Sequence, residues 1–497
     1  MTKNKSTNKT QKKYIGIFSR DNDHSIIGDL SLNGPNTTIE LHSDKKLAPS
    51  FDFETVEGTA YSGEHITLID CICTNTSHNI IRDQITTYNM NLFPHFISIG
   101  NRHLKPEIPY ITSINFSTTD LETIFYDFDA FGNISFSPNI IDYVLEDLRK
   151  TRPVESGEHP VISYYTGKSR IVEVSTEIGK ISVHHRPSYN MGGPAGVYIK
   201  NRIVVSIEPE SMITFDDAID RMHQISNFLS IAAGRPQGIS NIEVRTHEPS
   251  HLPDLPLSIT DSLARKINKK NNHLKPHPGD VPLNPIERTS EFQSVLSNWI
   301  KRNSGWRTAR TRYLECLRKG NKFGPDRLVA AANMFDILPL DAVPLTTQLS
   351  EEMSTTRDSC RALFKCLPNG IDRNSALDAL GRLGKPSLPK KVLHRTSMVT
   401  EQIGEAFPEL ELVASTAVKC RNYFVHGSSG DIDFLKVEHL IPFLTNTLEF
   451  IFASSDFIES GWDSKLWIAE FWGGGHSFTR YRSEYRTALK SLKSAIA

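Results

Sequence analysis

The sequence predicts an α+β fold, with a β-rich N-terminal domain followed by an all-α helical bundle. From Tyr14 to about Tyr110, apolar residues alternate with polar ones in short runs separated by Asn, Gly, Asp and Pro, a pattern typical of strands. From about Ile286 onward, apolar residues recur every three or four positions, as they do on one face of a helix. Residues 247–286 show neither period and are rich in Pro, Asn, Lys and His, which indicates a boundary between domains.

The N-terminal segment and the lack of long apolar runs bear on where the protein acts. Residues 1–13 are polar and include five lysines, which predicts a disordered basic tail. This segment has no apolar core of the kind found in secretory signals. No run in the chain approaches the ~20 apolar residues that a membrane-spanning helix needs. The sequence therefore predicts a cytoplasmic protein without a membrane partner.

Charge and cysteine content argue against several classes of protein. The chain has 56 Lys and Arg against 57 Asp and Glu, a net charge of -1, so any surface that attracts nucleic acid must be local. Six cysteines in 497 residues are too few for a disulfide framework. Cys71 and Cys73 lie two apart on a predicted strand, but neither they nor the histidines of the boundary segment show the spacing of a metal site. We therefore expect free thiols, no metal and no cofactor.

The β-rich domain is predicted to span residues 14–250. Its strand-like runs include YIGIF, IIGDLSL, TTIELH, HITLIDCIC, FPHFISIG, IPYITSINFS and VYIKNRIVVSIEP. The segment EVSTEIGKISVHH is predicted to form a hairpin with its turn around Glu177–Lys180. One helix follows, TFDDAIDRMHQISNFLSIAAG, and its apolar stripe predicts that it packs on the strands.

Residues 251–285 are predicted to be a linker, and residues 286–497 a helical domain. Eight segments show helical periodicity: SEFQSVLSNWIKRN, WRTARTRYLECLRKG, PDRLVAAANMFDIL, LSEEMSTTRDSCRALFKCL, NSALDALGRLG, LPKKVLHRTSMVTEQIGEAF, ELELVASTAVKCRNYFVHG and VEHLIPFLTNTLEFIFASSDFIES. Such a set of helices with short connections is typical of a bundle.

One of these helices, predicted over residues 409–426, carries an arginine on its apolar face. The stripe consists of Leu410, Val413, Ala414 and Ala417. Continuing it by four and then three residues reaches Arg421 and Phe424. A guanidinium cannot be neutralised in a protein, and its burial without an anion is costly. The position therefore predicts either an acidic partner or a bound anion, and phosphate matches a guanidinium well.

The end of the same helix adds an amide and an imidazole. Asn422 and His426 are four residues apart and share a face. His426 lies in the last turn before Gly427, where the helix dipole favours an imidazolium. Together with Arg421, these side chains suit metal-independent RNA cleavage, in which the 2′-hydroxyl attacks the adjacent phosphate and the protein supplies a proton acceptor or donor and a cation.

The motif and several N-terminal segments resemble known families. Arg421, Asn422 and His426 match R-x4-6-H, often written RNxxxH, which is the hallmark of the HEPN superfamily near the end of a bundle helix. The segment YIGIFSRDNDHSIIGDLSLNGPNTTIELH is similar to the start of ApeA-type anti-phage proteins, which open with a G-x-F … G-x-L strand pair. GEHITLIDCIC, STTDLETIFYDFDAFG and NFLSIAAGRP are similar to the same N-terminal domain.

The resemblance implies an all-α HEPN bundle with endoribonuclease activity in abortive infection. It implies cleavage of RNA, either tRNA or mRNA, by a homodimer or higher homo-oligomer in which two Arg–His pairs meet in a composite cleft. It also implies that the N-terminal domain senses infection, for example a phage-derived trigger, or restrains the nuclease. Many HEPN domains carry an acidic residue on an earlier helix, and Asp336 is the candidate for that role here.

Other interpretations of the same residues stay open at this point. Arg421 could pair with a carboxylate of Glu315, Asp336 or Glu352 and only stabilise the fold, while His426 could only cap its helix. The chain would then be a non-catalytic HEPN scaffold that binds RNA or protein. A HEPN protein that transfers a phosphate-containing group to a nucleotide or protein is a third alternative, although no Gly-rich phosphate loop is visible.

The C-terminal segment is the most basic part of the chain. Tyr481, Tyr485, Leu489, Leu492 and Ile496 form one helical stripe. Arg482, Arg486 and Lys490 lie largely to one side of it, with Lys493. Such a helix can contact an RNA backbone, and it can equally be the solvated face of a packed helix.

Overall fold

The computed structural model divides the chain into two compact units, and it describes residues 12–19, 25–45, 52–81, 85–190, 192–247, 255–264, 275–345, 349–427, 433–470 and 473–497. The first unit consists of Met1–Leu229, Gln237–Asn272 and Asn284–Thr289, and the second of Ser230–Pro236, His273–Leu283 and Ser290–Ala497. Strands dominate the first unit and helices the second, which confirms the predicted α+β fold class. Within the predicted basic tail, residues 1–11 lie outside the described residues, and Lys12 and Lys13 begin the first strand. The predicted domain boundaries stay predictions.

Strands make up most of the first unit, and the predicted alternation of buried with more exposed residues is clear in several of them. They are β1 (Lys12–Ser19), β2 (Ile26–Leu32), β3 (Thr38–Ser43), β4 (Asp52–Ala60), β5 (His65–Ile81), β6 (Ile85–Gly100), β7 (Ile111–Thr118), β8 (Phe131–Ser135), β9 (Val161–Tyr165), β10 (Arg170–Thr176), β11 (Gly179–His185), β12 (Ser188–Tyr189), β13 (Ile199–Lys200), β14 (Ile203–Glu208), β15 (Ile239–Thr246) and β16 (Leu257–Asp261).

Most of these strands belong to one antiparallel sheet. Its order is β10-β11-β14-β7-β15-β16-β6-β3-β2-β1-β4-β5, and β5 also pairs with β6, so β1–β6 close on themselves. The predicted hairpin is confirmed, because β10 and β11 pair up to Thr176 opposite Gly179. β16 pairs with both β15 and β6. Part of the segment 251–285 predicted as a linker is therefore a strand of the sheet, while residues 251–254 and 265–274 lie outside the described residues.

A buried aromatic ring explains the G-x-F … G-x-L pattern of the first two strands. Phe18 of β1 is 1% exposed, and its ring lies against Gly28 of β2 and Gly58 of β4, the two strands that flank β1. A Cβ atom would stand 2.6 Å from the ring at Gly28 and 2.2 Å from it at Gly58. At Gly16 a Cβ would stand 2.3 Å from the carbonyl oxygen of Thr59. The glycines thus make room for the ring and for the close approach of β1 and β4.

Three helices accompany the strands: α1 (Leu121–Ile124), α2 (Pro138–Arg149) and α3 (Phe215–Ala232). The sequence predicts α3, whose stripe residues Ala218, Met222, Ile225, Phe228 and Leu229 are all buried. Its first residue, Phe215, packs edge-on against Phe96 of β6 with ring centroids 5.3 Å apart. Helix α2 was not predicted, although Pro138 in its first turn and apolar residues three and four apart mark such a helix.

The C-terminal part contains every one of the eight predicted helices, with ends shifted by a few residues. The helices are α4 (Thr289–Lys301), α5 (Asn303–Arg318), α6 (Pro325–Asp336), α7 (Glu351–Lys365), α8 (Ile371–Arg382), α9 (Leu388–Ile403), α10 (Leu410–His426), α11 (Phe434–Val437), α12 (Ile441–Glu459), α13 (Ser464–Ala469) and α14 (Ser477–Ile496). The short helices α11 and α13 were not predicted. Trp462 and Trp467 are buried core residues, and Trp472 lies outside the described residues.

Helix α12 forms the centre of the bundle, and nearly all of its residues are buried. It packs against α5, α6, α9, α10 and α14, and the four helices α6, α9, α10 and α12 contact one another in every pairing. In the described part of the chain, no helix combines the length and the apolar character that crossing a membrane requires.

A buried network of charges ties α12 to its neighbours. Asp456, which is 1% exposed, accepts hydrogen bonds from Arg310 Nε at 2.8 Å and Nη2 at 2.9 Å, and from Arg302 Nη1 at 3.1 Å. One turn later, Glu459 accepts a hydrogen bond from Arg395 Nη1 at 2.9 Å and is also paired with Arg302. Since α10 packs against α12 and α9, this network supports the helix that carries the predicted site.

Candidate active site

Helix α10 has the buried face that its sequence predicts. Leu410, Val413, Ala414 and Ala417 are all buried. The helix ends at Gly427, whose φ of 67° is left-handed and whose N–H donates to the Tyr423 carbonyl at 2.8 Å. This is a common way to end a helix, and glycine adopts the conformation without strain. His426 is therefore held in the last turn of a well-defined helix end.

Arg421 continues the buried face of α10, with a side chain that is 15% exposed. Its Nη2 donates to Asn333 Oδ1 of α6 at 2.9 Å, and its Nη1 donates to Asn422 Oδ1 at 3.1 Å. The carboxylate of Asp336 lies 3.9 Å from Nη2, which is too far for a hydrogen bond. In the described part of the chain, Glu315 and Glu352 form no ion pair with Arg421. The guanidinium is thus oriented mainly by neutral amide oxygens.

The surroundings of Arg421 carry a net positive charge. Asp336 is 40% exposed, and its carboxylate also lies 3.7 Å from Nζ of Lys391 on α9. Lys391 Nζ additionally donates to the Asp336 carbonyl oxygen at 2.8 Å. Two cations therefore share one carboxylate. Arg421 Nε is buried and has no acceptor among the described residues. This corner of the bundle lacks one negative charge, and a phosphate group would supply it.

His426 is exposed, and its imidazole forms no hydrogen bond or ion pair with any described residue. Its ring lies at the C-terminal end of α10. The two side chains of the motif thus differ in setting: Arg421 is held in a fixed orientation, and the ring of His426 is open to a substrate. Asn422 is half-buried, and its oxygen accepts from Arg421, so it positions the guanidinium.

Aromatic rings between Arg421 and His426 connect α10 to α11. The ring of Tyr423 stacks on Phe434 with centroids 4.5 Å apart and planes 13° apart. Phe424 meets the same ring edge-on at 4.7 Å. These contacts hold α11 against the turn of α10 that carries the motif.

Cysteine chemistry is not available beside the motif. Cys420 precedes Arg421 and is buried, and burial raises the pKa of its thiol to about 11. Such a thiol stays protonated near neutral pH and is a poor nucleophile. Within the described residues, no group of three or more His, Cys, Asp or Glu side chains is arranged to hold a metal ion.

The basic residues of α14 have different partners. Arg482 Nη1 donates to the Glu470 carbonyl oxygen at 3.5 Å, and Arg486 Nη2 donates to the Glu405 carbonyl oxygen at 3.4 Å. Lys493 pairs with Glu409. Lys490 instead lines a groove with residues of α11. Among the described contacts, none joins these side chains to Arg421 or His426, so their predicted role in RNA binding stays a prediction.

The glycine-rich segment before α14 has a structural role. His476 is buried and caps α14, with its Nδ1 accepting from the Phe478 N–H at 3.0 Å. Burial lowers the pKa of His476 to about 3, so the ring stays neutral. Gly475 N–H donates to Asp280 Oδ2 at 3.1 Å, which fixes the preceding turn.

Sequence reasoning missed two members of the site, Asn333 and Lys391. Asn333 lies three residues before Asp336, on the same face of α6, so the spacing offered a weak signal. Lys391 carries no local signal, because its role depends on how α9 packs against α6.

Asn333→Ala is expected to lower the kcat of the RNA cleavage that the sequence predicts by ~10-fold with little change in KM, because Arg421 loses the hydrogen bond that orients it. Asp336→Asn serves as the comparison, since its carboxylate lies 3.9 Å from the guanidinium, and we expect it to have a smaller effect. Steady-state cleavage assays on the two folded variants check this order. A larger loss of kcat in Asp336→Asn than in Asn333→Ala would show that the charge of Asp336, rather than orientation by Asn333, determines how Arg421 acts.

Two family models match the chain. The model described as ApeA N-terminal domain 1 matches residues 13–299, more than half of the 497 residues. The chain belongs to the ApeA family. The model described as Apea-like HEPN matches residues 329–466, which contain Arg421, Asn422 and His426 together with Asn333 and Asp336. No curated protein and no solved structure matches the chain.

These matches confirm the resemblance seen in the sequence. The ApeA N-terminal domain corresponds to the β-rich part and the HEPN domain to the helical bundle. The ApeA family and its HEPN domain support an anti-phage defence protein of the HEPN type. Arg421 and His426 thus lie inside a HEPN domain, at the end of one of its central helices.

Proposed function

We propose that this ApeA protein is a metal-independent endoribonuclease that acts in abortive infection, with Arg421 and His426 as its catalytic residues. HEPN domains are in general nucleases, which supports the reaction class. The observation that carries the proposal is the setting of Arg421. Its guanidinium is oriented by two amide oxygens, and its buried Nε has no described acceptor. Among the described residues, the carboxylate that lies within 4.0 Å of this guanidinium is that of Asp336, which is shared with Lys391.

The reaction uses a nucleophile that the RNA itself provides. The 2′-hydroxyl oxygen forms a bond to the adjacent phosphorus, and the bond from phosphorus to the 5′-oxygen breaks. The products are a 2′,3′-cyclic phosphate and a 5′-hydroxyl end. The 2′-hydroxyl loses a proton and the leaving 5′-oxygen gains one, so a histidine can serve either transfer.

Arg421 and His426 have different roles in this reaction. The fixed guanidinium stabilises the extra negative charge on the phosphorane oxygens, where a preorganised donor is most effective. His426, exposed at the helix end, exchanges the proton. Asn333 and Asn422 position Arg421, and Asp336 limits the excess charge while the site is empty of RNA.

A homodimer would complete the site. Each chain offers one Arg421 and one His426, whereas the reaction needs one group to accept a proton and another to donate one. Two copies of the α10 end, meeting across a symmetry axis, would provide both in a composite cleft. In this proposal the enzyme is cytoplasmic, its substrate is tRNA or mRNA, and a phage-derived trigger recognised by the N-terminal domain releases its activity.

Incubation of the purified protein with total tRNA in the presence of EDTA tests the proposal. We expect tRNA fragments to appear in EDTA, either with the purified protein alone or after extract from phage-infected cells is added. Cleavage that requires an added divalent ion would contradict the metal-independent mechanism. Binding of tRNA without cleavage under all these conditions would favour the non-catalytic scaffold, in which Arg421 and His426 only support assembly.

A further inference from the structure

A basic groove lies beside the motif, on the surface of the helical unit. It is lined by Leu435, Lys436, His439, Lys490, Ser491, Ser494 and Ala495. Its volume of about 640 Å³ is within the roughly 300–1,000 Å³ of typical ligand clefts. One wall comes from α11 and the residues just after it, and the other from the last two turns of α14, which α11 contacts.

The side chains that line the groove are basic, polar or apolar, and none is acidic. Three of the seven side chains are basic or can become so, two are hydroxyls, and none is acidic. Lys436 and Lys490 are exposed and form no ion pair with any described residue. Lys493, on the same helix, is paired with Glu409 and does not line the groove. The groove therefore offers unneutralised ammonium groups and hydroxyl donors, a combination that suits phosphodiester oxygens.

The helix that forms one wall of the groove also packs against the turn of α10 that carries the motif. Phe434, which precedes the lining residues Leu435 and Lys436, contacts Tyr423 and Phe424 between Arg421 and His426. A ligand in the groove thus lies on the short helix that packs directly on the end of α10. A polymer bound at the motif can extend into the groove, whereas a single small anion would fill only part of it.

We propose that this groove binds the phosphodiester backbone of single-stranded RNA next to the cleavage site, with Lys436 and Lys490 as its cationic contacts and His439 as a polar contact. The inference rests on the proposed ribonuclease function and assigns a second contact region to the same substrate. The groove contributes affinity, and Arg421 and His426 contribute the chemistry.

Binding and catalysis can be measured separately. A fluorescently labelled single-stranded RNA of about 20 nucleotides is titrated with full-length His426→Ala, and with the same variant carrying Lys436→Glu and Lys490→Glu, in EDTA over a range of salt. We expect the charge reversals to raise Kd at least ~10-fold. We also expect the negative slope of the logarithm of the association constant against the logarithm of the salt concentration to become shallower by about 1.4, which is 0.7 for each lost phosphate contact. Lys436→Arg with Lys490→Arg retains the charges and should restore binding.

The control carries the same change of charge elsewhere. Lys365 on α7 and Lys465 on α13 are exposed and do not line the groove. Lys365→Glu with Lys465→Glu in the His426→Ala background should bind RNA with nearly unchanged Kd. Equal Kd values for the groove and control variants would overturn the proposal. That result would leave the groove to some other partner, such as a protein.

Cleavage assays separate failure of the groove from failure of the proposed function. With His426 intact, the groove variant should raise KM ~10-fold and leave kcat within about twofold. A wild-type protein that cleaves RNA and a groove variant with the same KM would overturn the groove but leave the ribonuclease standing. If the wild type cleaves nothing and the groove variant still binds RNA more weakly than its control, the RNA-binding groove stands and the catalytic proposal fails.

Discussion

Arg421→Ala and His426→Ala are each expected to reduce the rate of RNA cleavage by ~10²–10⁴-fold. The guanidinium is oriented by Asn333 and Asn422 and is not neutralised by a close carboxylate, so its removal takes away a prepared phosphate contact. His426 is exposed, and its imidazole forms no hydrogen bond or ion pair with a described residue, so its loss costs the fold little and affects mainly proton transfer. Single-turnover cleavage of a labelled RNA measures both effects.

The double variant and two controls make this result specific. Residues that act on one transition state are not additive, so Arg421→Ala with His426→Ala should be little slower than the worse single variant. Arg312→Ala on α5 and Val425→Ala, both at exposed positions, should keep wild-type rates. Circular dichroism checks that each variant is folded. Wild-type rates in folded Arg421→Ala or His426→Ala protein would remove that residue from the mechanism.

Asp456→Ala is expected to destabilise the helical bundle by ~3–5 kcal/mol, because it leaves Arg310 buried without its carboxylate. Arg310 is 2% exposed, and two of its nitrogens bond to Asp456 at 2.8 and 2.9 Å. Thermal and urea unfolding, followed by the helical circular dichroism signal, measures the change. Glu401→Ala on α9 also removes one carboxylate, but from an exposed position, and it should change stability by less than ~0.5 kcal/mol.

The effect of Asp456 should depend on pH in a defined direction. Burial disfavours its charged form, but the guanidinium groups of Arg310 and Arg302 outweigh burial and hold the pKa of the carboxyl below its usual range. Because the pKa of this carboxyl is lower in the folded state, its ionised form stabilises the fold at pH values above the unfolded pKa of about 3.9. This stabilisation is lost as pH falls through the native pKa. The stability difference between wild type and Asp456→Ala should therefore be full at neutral pH and shrink below about pH 4. A constant difference across that window would contradict the ion pairing.

The local features of the site could be predicted from sequence because they depend on one helix. The 3.6-residue period places Arg421 on the buried face of α10, and the helix ends at Gly427 as expected. The prediction that such an arginine needs a partner led to three candidates, Glu315, Asp336 and Glu352, and the carboxylate of Asp336 does lie nearby, at 3.9 Å.

The closest partner of Arg421 could not be predicted in the same way. Asn333 lies 88 residues earlier in the chain and reaches Arg421 only because α6 packs against α10. Lys391 belongs to the site because α9 packs against α6. The groove residue Lys436 lies on α11, a helix of four residues, and His439 lies just after that helix. Helical periodicity says which face of a helix is buried, but it does not say which neighbour covers it.

The β-rich part shows the same limit. The alternating runs predict most strands, but residues 251–285 are polar and rich in proline, which conceals β16. The strand exists because β15 and β6 pair with it on both sides, and that is a tertiary effect. Conversely, the glycines of β2 and β4 became interpretable only once the ring of Phe18 was located between them.

The central claim is that this HEPN domain cleaves RNA by using the 2′-hydroxyl of the RNA as the nucleophile, with Arg421 and His426 acting on the scissile phosphate. The most direct measurement uses a defined RNA that the wild type cuts at one position, and the same RNA with a single 2′-deoxy nucleotide immediately 5′ of the scissile phosphate. We expect the all-ribose strand to yield a 2′,3′-cyclic phosphate and a 5′-hydroxyl end in EDTA, and the deoxy strand to stay intact at that position. Cleavage of the deoxy strand at the same position, or products with a 5′-phosphate, would contradict the account.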